Sequence, residues 1–375
     1  MTSQPRHVPV LLDEALAYLD IREGGTYIDC TTGLGGHSEA IAERIGDGGR
    51  LLCIDQDSEA LEFARARLAP FGRRAKFVRG NFRDLADIAE EHGFTDVDGV
   101  LLDLGVSSLQ LEAAARGFAF GLEGPLDMRM APEDGGETAA DIVNTWGEAE
   151  LADMLRQYGE VRGARRIARS ITRARPIGTT WELARAVEQA VGGQGRHTQI
   201  HPATLVFLAL RVRVNGELDS LDAVLPQAHG LLGFGTAGRP HGGRLVLLSF
   251  HSLEDRMVKQ YFRREARECV CPPALPVCRC DHRATLRELT RRPIPARRRR
   301  GCPQPTRAKR RAPRRRTDRV AMATINHPLG GRRGIPRTRT PHQRRRLDSR
   351  FGAGGGAGGD APGAAEQHRD EPGFR

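Results

Sequence analysis

Short apolar, β-branched runs separated by amphipathic stretches set the strongest constraint on what this chain can become. Four of them fall within the first 104 residues, at Thr26 to Cys30, Arg50 to Asp55, Lys76 to Arg79 and Asp98 to Leu104. Helical periodicity between them, at Ser38 to Ile45 and Ser58 to Leu68, completes the rhythm of a parallel sheet covered by helices. One more core-strand pattern, GRLVLLSF at 243 to 250, arrives only after a long interval, so an insertion is expected within the α/β domain. From about Glu137 to Gly192 the period is helical throughout. Thr179 with Glu182 fits a capping box opening the helix TTWELARAV, and Pro176 stops the helix before it. The expected architecture is a Rossmann-like α/β core made of residues 1–112 and 201–290, with a helical substrate-recognition subdomain at 113–200.

Past residue 290 the composition changes. Residues 291–375 hold 24 Lys and Arg against 6 Asp and Glu and include FGAGGGAGG at 351–359. Such a segment buries too little apolar area to offset its chain entropy, so a disordered basic tail is expected. The net charge of +11 therefore conceals −7 over residues 1–290, and the basic balance says little about the folded part. No stretch approaches the roughly 18 consecutive apolar residues of a membrane span. Asp13 and Glu14 interrupt the first segment, which excludes a signal peptide. A cytoplasmic protein is expected, and nothing in the sequence sets an oligomeric state.

The seven cysteines are an odd number, for which reduced thiols are the default. Cys269, Cys271, Cys278 and Cys280 form CxC-x6-CxC. Four thiolates could hold zinc, yet the usual spacing is CxxC and Pro272 to Pro276 is stiff, so no metal is expected.

The segment YIDCTTGLGGH, residues 27–37, reads as a strand, a glycine turn and a helix start, where a ligand can lie against the backbone. Asp55 ends the next strand, 22 residues after Gly33, placed to accept hydrogen bonds from both hydroxyls of a ribose. A dinucleotide-dependent oxidoreductase uses the same parts, but its G-x-G-x-x-G would need glycine where Ser38 stands. A sulfonium nucleoside has no phosphate and benefits from nearby carboxylates such as Asp29 and Asp103, so the loop favours a methyl donor.

A series of further segments points the same way: HVPVLLDEAL (7–16), DCTTGLGGHS (29–38), DGVLLDLGVSS (98–108), RGFAF (116–120), GPLDMRM (124–130), YGEVRGARRIARSI (158–171), IHPAT (200–204), VNGEL (214–218) and GGRLVLLSFHSLEDR (242–256). In content and order they resemble the MraW/RsmH family of 16S rRNA cytosine-N4 methyltransferases, over about residues 6–290. The resemblance implies S-adenosylmethionine as cofactor, 16S rRNA of the small ribosomal subunit as partner, and cytosine 1402 as target. It implies cofactor contacts at Gly35, Gly36, His37, Asp55, Phe82, Asp103 and Gln110. Leu205 and Leu208 depart from the family, which has arginine and glutamine there. A non-catalytic RNA-binding protein that keeps the cofactor fold therefore stays open beside the enzyme.

Cytosine N4 is a poor nucleophile because its lone pair is conjugated with the ring, so it needs alignment and a proton acceptor. Asp127 in PLDMR is the first candidate to orient the amine, with Asp103 and His251 as further catalytic candidates. Glu254 and Asp255 read equally well as a helix first turn favoured by the macrodipole. Arg162, Arg165, Arg166, Arg169 and Arg173 recur at three- and four-residue spacing on one helical face. A solvated face is the plain alternative, but on a net-negative fold this stripe is expected to meet RNA phosphates.

Overall fold

The computed structural model describes residues 9–192, 201–234, 242–272, 274–275 and 277–290, together with strands at 294–295 and 319–325. All fall within one compact unit, Met1–Leu329. Residues 193–200 of the expected subdomain and the rest of the basic tail lie outside the described residues.

The apolar runs form strands because they can be buried on both faces. β1 (Thr26–Asp29), β2 (Arg50–Asp55), β3 (Ala75–Arg79), β4 (Gly99–Asp103) and β5 (Arg244–Ser249) are parallel, in the spatial order β3-β2-β1-β4-β5. In chain order the helices are α1 (Leu12–Leu19), α2 (Gly36–Ile45), α3 (Ser58–Leu68), α4 (Leu85–Glu91) and α5 (Ser108–Glu112). They continue as α6 (Ala139–Thr145), α7 (Glu148–Gly159), α8 (Ala164–Ala174), α9 (Thr180–Val191), α10 (Pro202–Asn215), α11 (Glu217–Leu231) and α12 (Ser252–Glu265).

Alternate strand residues serve opposite faces of the sheet. Tyr27, Leu51, Leu101 and Val246 pack against α1, α2 and α3 through Leu19, Ile41 and Leu68. Ile28, Leu52, Val100 and Leu245 pack against α4, α11 and α12 through Leu85, Val224 and Phe262. A separate apolar cluster is helical and includes Ile142, Leu155, Ile171, Leu183 and Leu210. The Thr179–Glu182 capping box opens α9 as expected, and α8 ends two residues before Pro176.

Two boundaries differ from the sequence reading. Residues 201–215, expected in the sheet domain, form α10, whose Ala203, Val206, Phe207, Ala209 and Leu210 are buried in the helical cluster. Their 3.6-residue period complements α7 and α9, and the chain returns to the sheet only at Gly216, with φ +58°. The expected disorder across 291–375 also fails at two places. Ile294–Pro295 and Arg319–Ile325 are strands β7 and β8, following β6 (Leu286–Glu288). β8 runs antiparallel to β5, pairing Arg244 with Thr324 and Leu248 with Val320, and β6 pairs with its other edge. Without β8, β5 would present a row of unpaired backbone groups, and RVAMATI satisfies them.

Candidate cofactor and substrate site

The strand order reverses between β1 and β4, and ligands collect at the carboxyl ends of strands at such a switch point. A cavity of about 250 Å³ opens there. The loop after β1 forms its floor. Gly33 has φ +51° and Gly35 φ +78°, a region that side chains disfavour, and the two let the chain turn straight into α2.

The Gly33 N–H donates to Asp55 Oδ2 at 2.7 Å, and the Asp57 N–H donates to Asp55 Oδ1 at 2.9 Å. One carboxylate thus ties together the loops after β1 and β2, and each oxygen keeps a further lone pair for a ligand. Burial pushes the Asp55 carboxyl up to about 6, although the Asp57 and Gly33 N–H groups pull it back. Asp29, expected to help a sulfonium, does not line the cavity. It is fully buried, accepting from Ser38 Oγ at 2.6 Å and from the Thr31 N–H at 3.1 Å, so it braces the glycine turn. Its carboxyl is also pushed up to about 6, by burial first.

Asp103 ends β4 and does line the cavity. Its N–H donates to Thr31 Oγ1 at 2.6 Å, and its Oδ2 lies 3.5 Å from His37 Nδ1. Burial holds His37 down at about 4, so at neutral pH the imidazole beside Asp103 is uncharged. Phe82, Gly36 and Gln110 line the same cavity. The Gln110 amide is engaged as well: Nε2 donates to Asp57 Oδ2 at 2.8 Å and Oε1 accepts the Ser107 N–H at 3.0 Å. Gly35 is not among the lining residues. Its role is packing, since a Cβ there would come within 2.8 Å of Leu68 Cδ1 and 3.2 Å of the Ala64 backbone.

Asp127 stands apart from the expectation. It does not line the cavity, and Arg129 closes its carboxylate in a fork, Nε to Oδ1 at 2.8 Å and Nη2 to Oδ2 at 2.7 Å. Burial pushes its carboxyl up, but the Arg129 hydrogen bonds and charge outweigh it, leaving the group below its ordinary value. His251 also lies off the cavity wall, as N-cap of α12. Its neighbour Glu254 is the lining residue, with Oε2 accepting the Phe250 N–H at 2.9 Å. Glu254 belongs to the capping box that opens α12, as its helix first-turn reading expects, and it also faces the cavity.

Two residues given no role from the sequence support the wall, and of them Asn215 lines it. Asn215 Oδ1 accepts the Met130 N–H and Nδ2 donates to the Met128 carbonyl, each at 2.8 Å, pinning the PLDMRM loop to the end of α10. Arg116 of the RGFAF segment reaches Asp57 Oδ2 at 2.9 Å and the Met130 carbonyl at 2.9 Å. The motif order in the sequence carried these residues, but only the fold shows that Asn215 and Arg116 both hold Met130 and that Arg116 meets Gln110 at Asp57. Arg165, Arg166, Arg169 and Arg173 are exposed on one face of α8, Arg169 pairing with Glu148 at 3.2 Å. Arg162 is exposed too, but in the turn before the helix. Leu205 does not line the cavity and packs on the helical cluster.

The doubly wound sheet, the glycine turn and the acid ending β2 define a Rossmann-like, nucleoside-binding α/β protein. A profile of the MraW methylase family matches residues 4–309. A ribosomal RNA small subunit methyltransferase H from Thermomicrobium roseum is 54% identical over 291 residues, 77% of this chain and 86% of that protein. The protein of the same name from Dehalococcoides mccartyi is 51% identical over 288 residues, 77% of this chain and 80% of its own length. The chain belongs to the MraW methylase family. Its cofactor is S-adenosylmethionine. The donor set fits that nucleoside: Asp55 retains acceptor capacity for ribose hydroxyls, Phe82 offers an aromatic face, and Gly33 and Gly36 keep side chains out of the turn. Among the described residues no helix is long and apolar enough to cross a membrane.

Proposed function

We propose that this protein methylates the exocyclic N4 of a cytosine in 16S rRNA of the small ribosomal subunit, with cytosine 1402 as the target. The observation that carries the reading is a cofactor cavity walled jointly by the sheet and by Met130 of the PLDMRM loop, in a chain 54% identical over 291 residues to a small-subunit methyltransferase. S-adenosylmethionine supplies a methyl group on a sulfonium sulfur. The chain's own residues must then hold the base in line and accept a proton from the amine. Of the three catalytic candidates, Asp103 faces the cavity, so its Oδ2 is the proposed proton acceptor. His37, which burial holds neutral, lies 3.5 Å from that oxygen.

Asp127 with Arg129, and His251 with Glu254, are proposed as positioning pairs. They hold the PLDMRM loop and the start of α12 against the cavity rim. The exposed arginines of α8, with Arg162, are proposed to bind phosphates of the RNA, whose target base would be unstacked to reach the cavity. A cytoplasmic site of action follows from that substrate.

The test is to incubate the protein with labelled methyl donor and undermethylated small subunits, then map the modified nucleotide. A methyl group on cytosine N4 at a single site is expected. Cofactor binding without transfer to any subunit or RNA would favour the non-catalytic reading instead.

A further inference from the structure

The four cysteines after α12 form a site of their own. The chain leaves the helix, doubles back, and is tied to the helix end on its return. The Thr285 N–H donates to the Glu265 carbonyl at 2.9 Å, and His282 Nε2 lies 3.1 Å from the Arg264 carbonyl. Each arm carries one CxC pair, and the arms face one another. Cys269 Sγ is 3.4 Å from Cys278 Sγ and 3.7 Å from Cys280 Sγ, and the last two are 3.6 Å apart. With Cys271 the four sulfurs all lie within 4.8 Å of one another.

These are not disulfides. A sulfur–sulfur bond is about 2.05 Å long, and all four cysteines are free. The spacing is that of a coordination shell: with metal–sulfur bonds of about 2.3 Å, the edge of a tetrahedral tetrathiolate is about 3.8 Å. Backbone donors also point at the sulfurs. The Cys271 N–H reaches Cys269 Sγ at 3.4 Å, the Val270 N–H reaches Cys280 Sγ at 3.4 Å, and the Arg279 N–H reaches Cys271 Sγ at 3.3 Å. Such donors stabilise anionic sulfur, the form that binds metal.

The hairpin has little else to hold it. Val270, Leu275 and Val277 are exposed, Val277 by 70%, so the described residues of the segment bury no apolar core of their own. A small loop without a core takes its folding free energy from cross-links or metal. The proline-rich sequence that argued against chelation does not keep the two CxC pairs apart.

We propose that Cys269, Cys271, Cys278 and Cys280 bind one Zn2+ as a closed structural tetrathiolate site, separate from the cofactor cavity. Four protein sulfurs leave no open position for substrate, so the ion fixes the hairpin and does no chemistry.

The full chain, expressed with zinc and purified under reducing conditions without chelator, is assayed by elemental analysis. About one zinc per chain is expected. Exchange for Co2+ should give the intense visible bands of a tetrahedral site and a near-ultraviolet thiolate charge-transfer band. The pair Cys278→Ser with Cys280→Ser should lose the ion, whereas Asp55→Ala should keep it. If that pair does not fold, Cys271→His should retain about one zinc with a weakened thiolate-to-Co2+ band. Four wild-type thiols that react freely with a thiol reagent and no bound zinc would overturn the proposal. So would zinc retained by the serine pair, or iron in place of zinc.

Discussion

Asp55 is asked to do two things at once, and its protonation separates them. As a carboxylate it accepts from the loop N–H groups and from a ribose, but burial lifts its pKa to about 6, so it gains a proton readily in mildly acid solution. Affinity for S-adenosylmethionine should therefore fall as pH drops through about 6, by up to about tenfold per unit. Asp55→Asn should bind at least about 100-fold more weakly at pH 8 and lose that pH dependence, as read by calorimetry. A flat wild-type profile would remove Asp55 from the ribose contact. Asp29 shows the same shift without a ligand role. Its folded value, about 6, exceeds its ordinary 3.8, so its contribution to stability is fully present below about pH 4 and is lost as pH rises to 6. Asp29→Asn keeps an acceptor for Ser38 but no charge. Its stability relative to wild type should rise across that window and level off at on the order of 3 kcal/mol, measured by urea unfolding at several pH values. Gly35→Ala should cost about 2 kcal/mol in the same assay, because a side chain there meets both a left-handed φ and the Ala64 backbone.

At the level of elements, the parallel strands were legible almost residue for residue. β1, β2 and β4 are apolar on both faces and end in Asp29, Asp55 and Asp103, the last two at the cavity and the first braced behind it, a pattern that periodicity alone exposes. What periodicity could not assign was the owner of a helix. α10 is apolar on most sides, so its sequence shows a buried helix without saying which layer buries it. Asn215 was hidden for the same reason: its value lies in reaching Met128 and Met130, 85 or more residues earlier. α8 is the reverse case, with Ala164, Ile167, Ala168 and Ile171 buried and the arginines opposite. If those arginines meet phosphates, Arg165→Glu with Arg169→Glu should weaken RNA binding without changing cofactor affinity. The slope of log K against log salt should shrink in magnitude by between about 1.4 and 1.8 for two lost contacts. Both proteins are first ended at Leu329, so that the basic residues beyond it do not bind RNA non-specifically and mask the change. An unchanged slope would make the stripe a solvated face.

Across the whole molecule, the sequence beyond residue 290 misled because its composition was averaged. Arginine, proline and glycine dominate, and seven residues, RVAMATI, contribute almost nothing to the mean, yet they supply β8. A strand is recognised by its neighbour's unpaired backbone, which composition does not record. This changes where the chain can be cut. Ending it after residue 295 removes β8, leaving the β5 edge unpaired and taking away the partner of both β6 and β7. Such a protein should unfold several degrees lower, since about 1 kcal/mol shifts the midpoint by about 2–4 °C in a domain of this size. Exposure of β5 should also promote aggregation. Ending the chain at Leu329 keeps every described strand and the whole compact unit, so both the melting midpoint and methyl transfer should stay near those of the full chain. Thermal unfolding and light scattering on the two truncations decide the matter. If cutting after residue 295 leaves both unchanged, β8 contributes nothing to the sheet, and the compositional reading of the tail is restored.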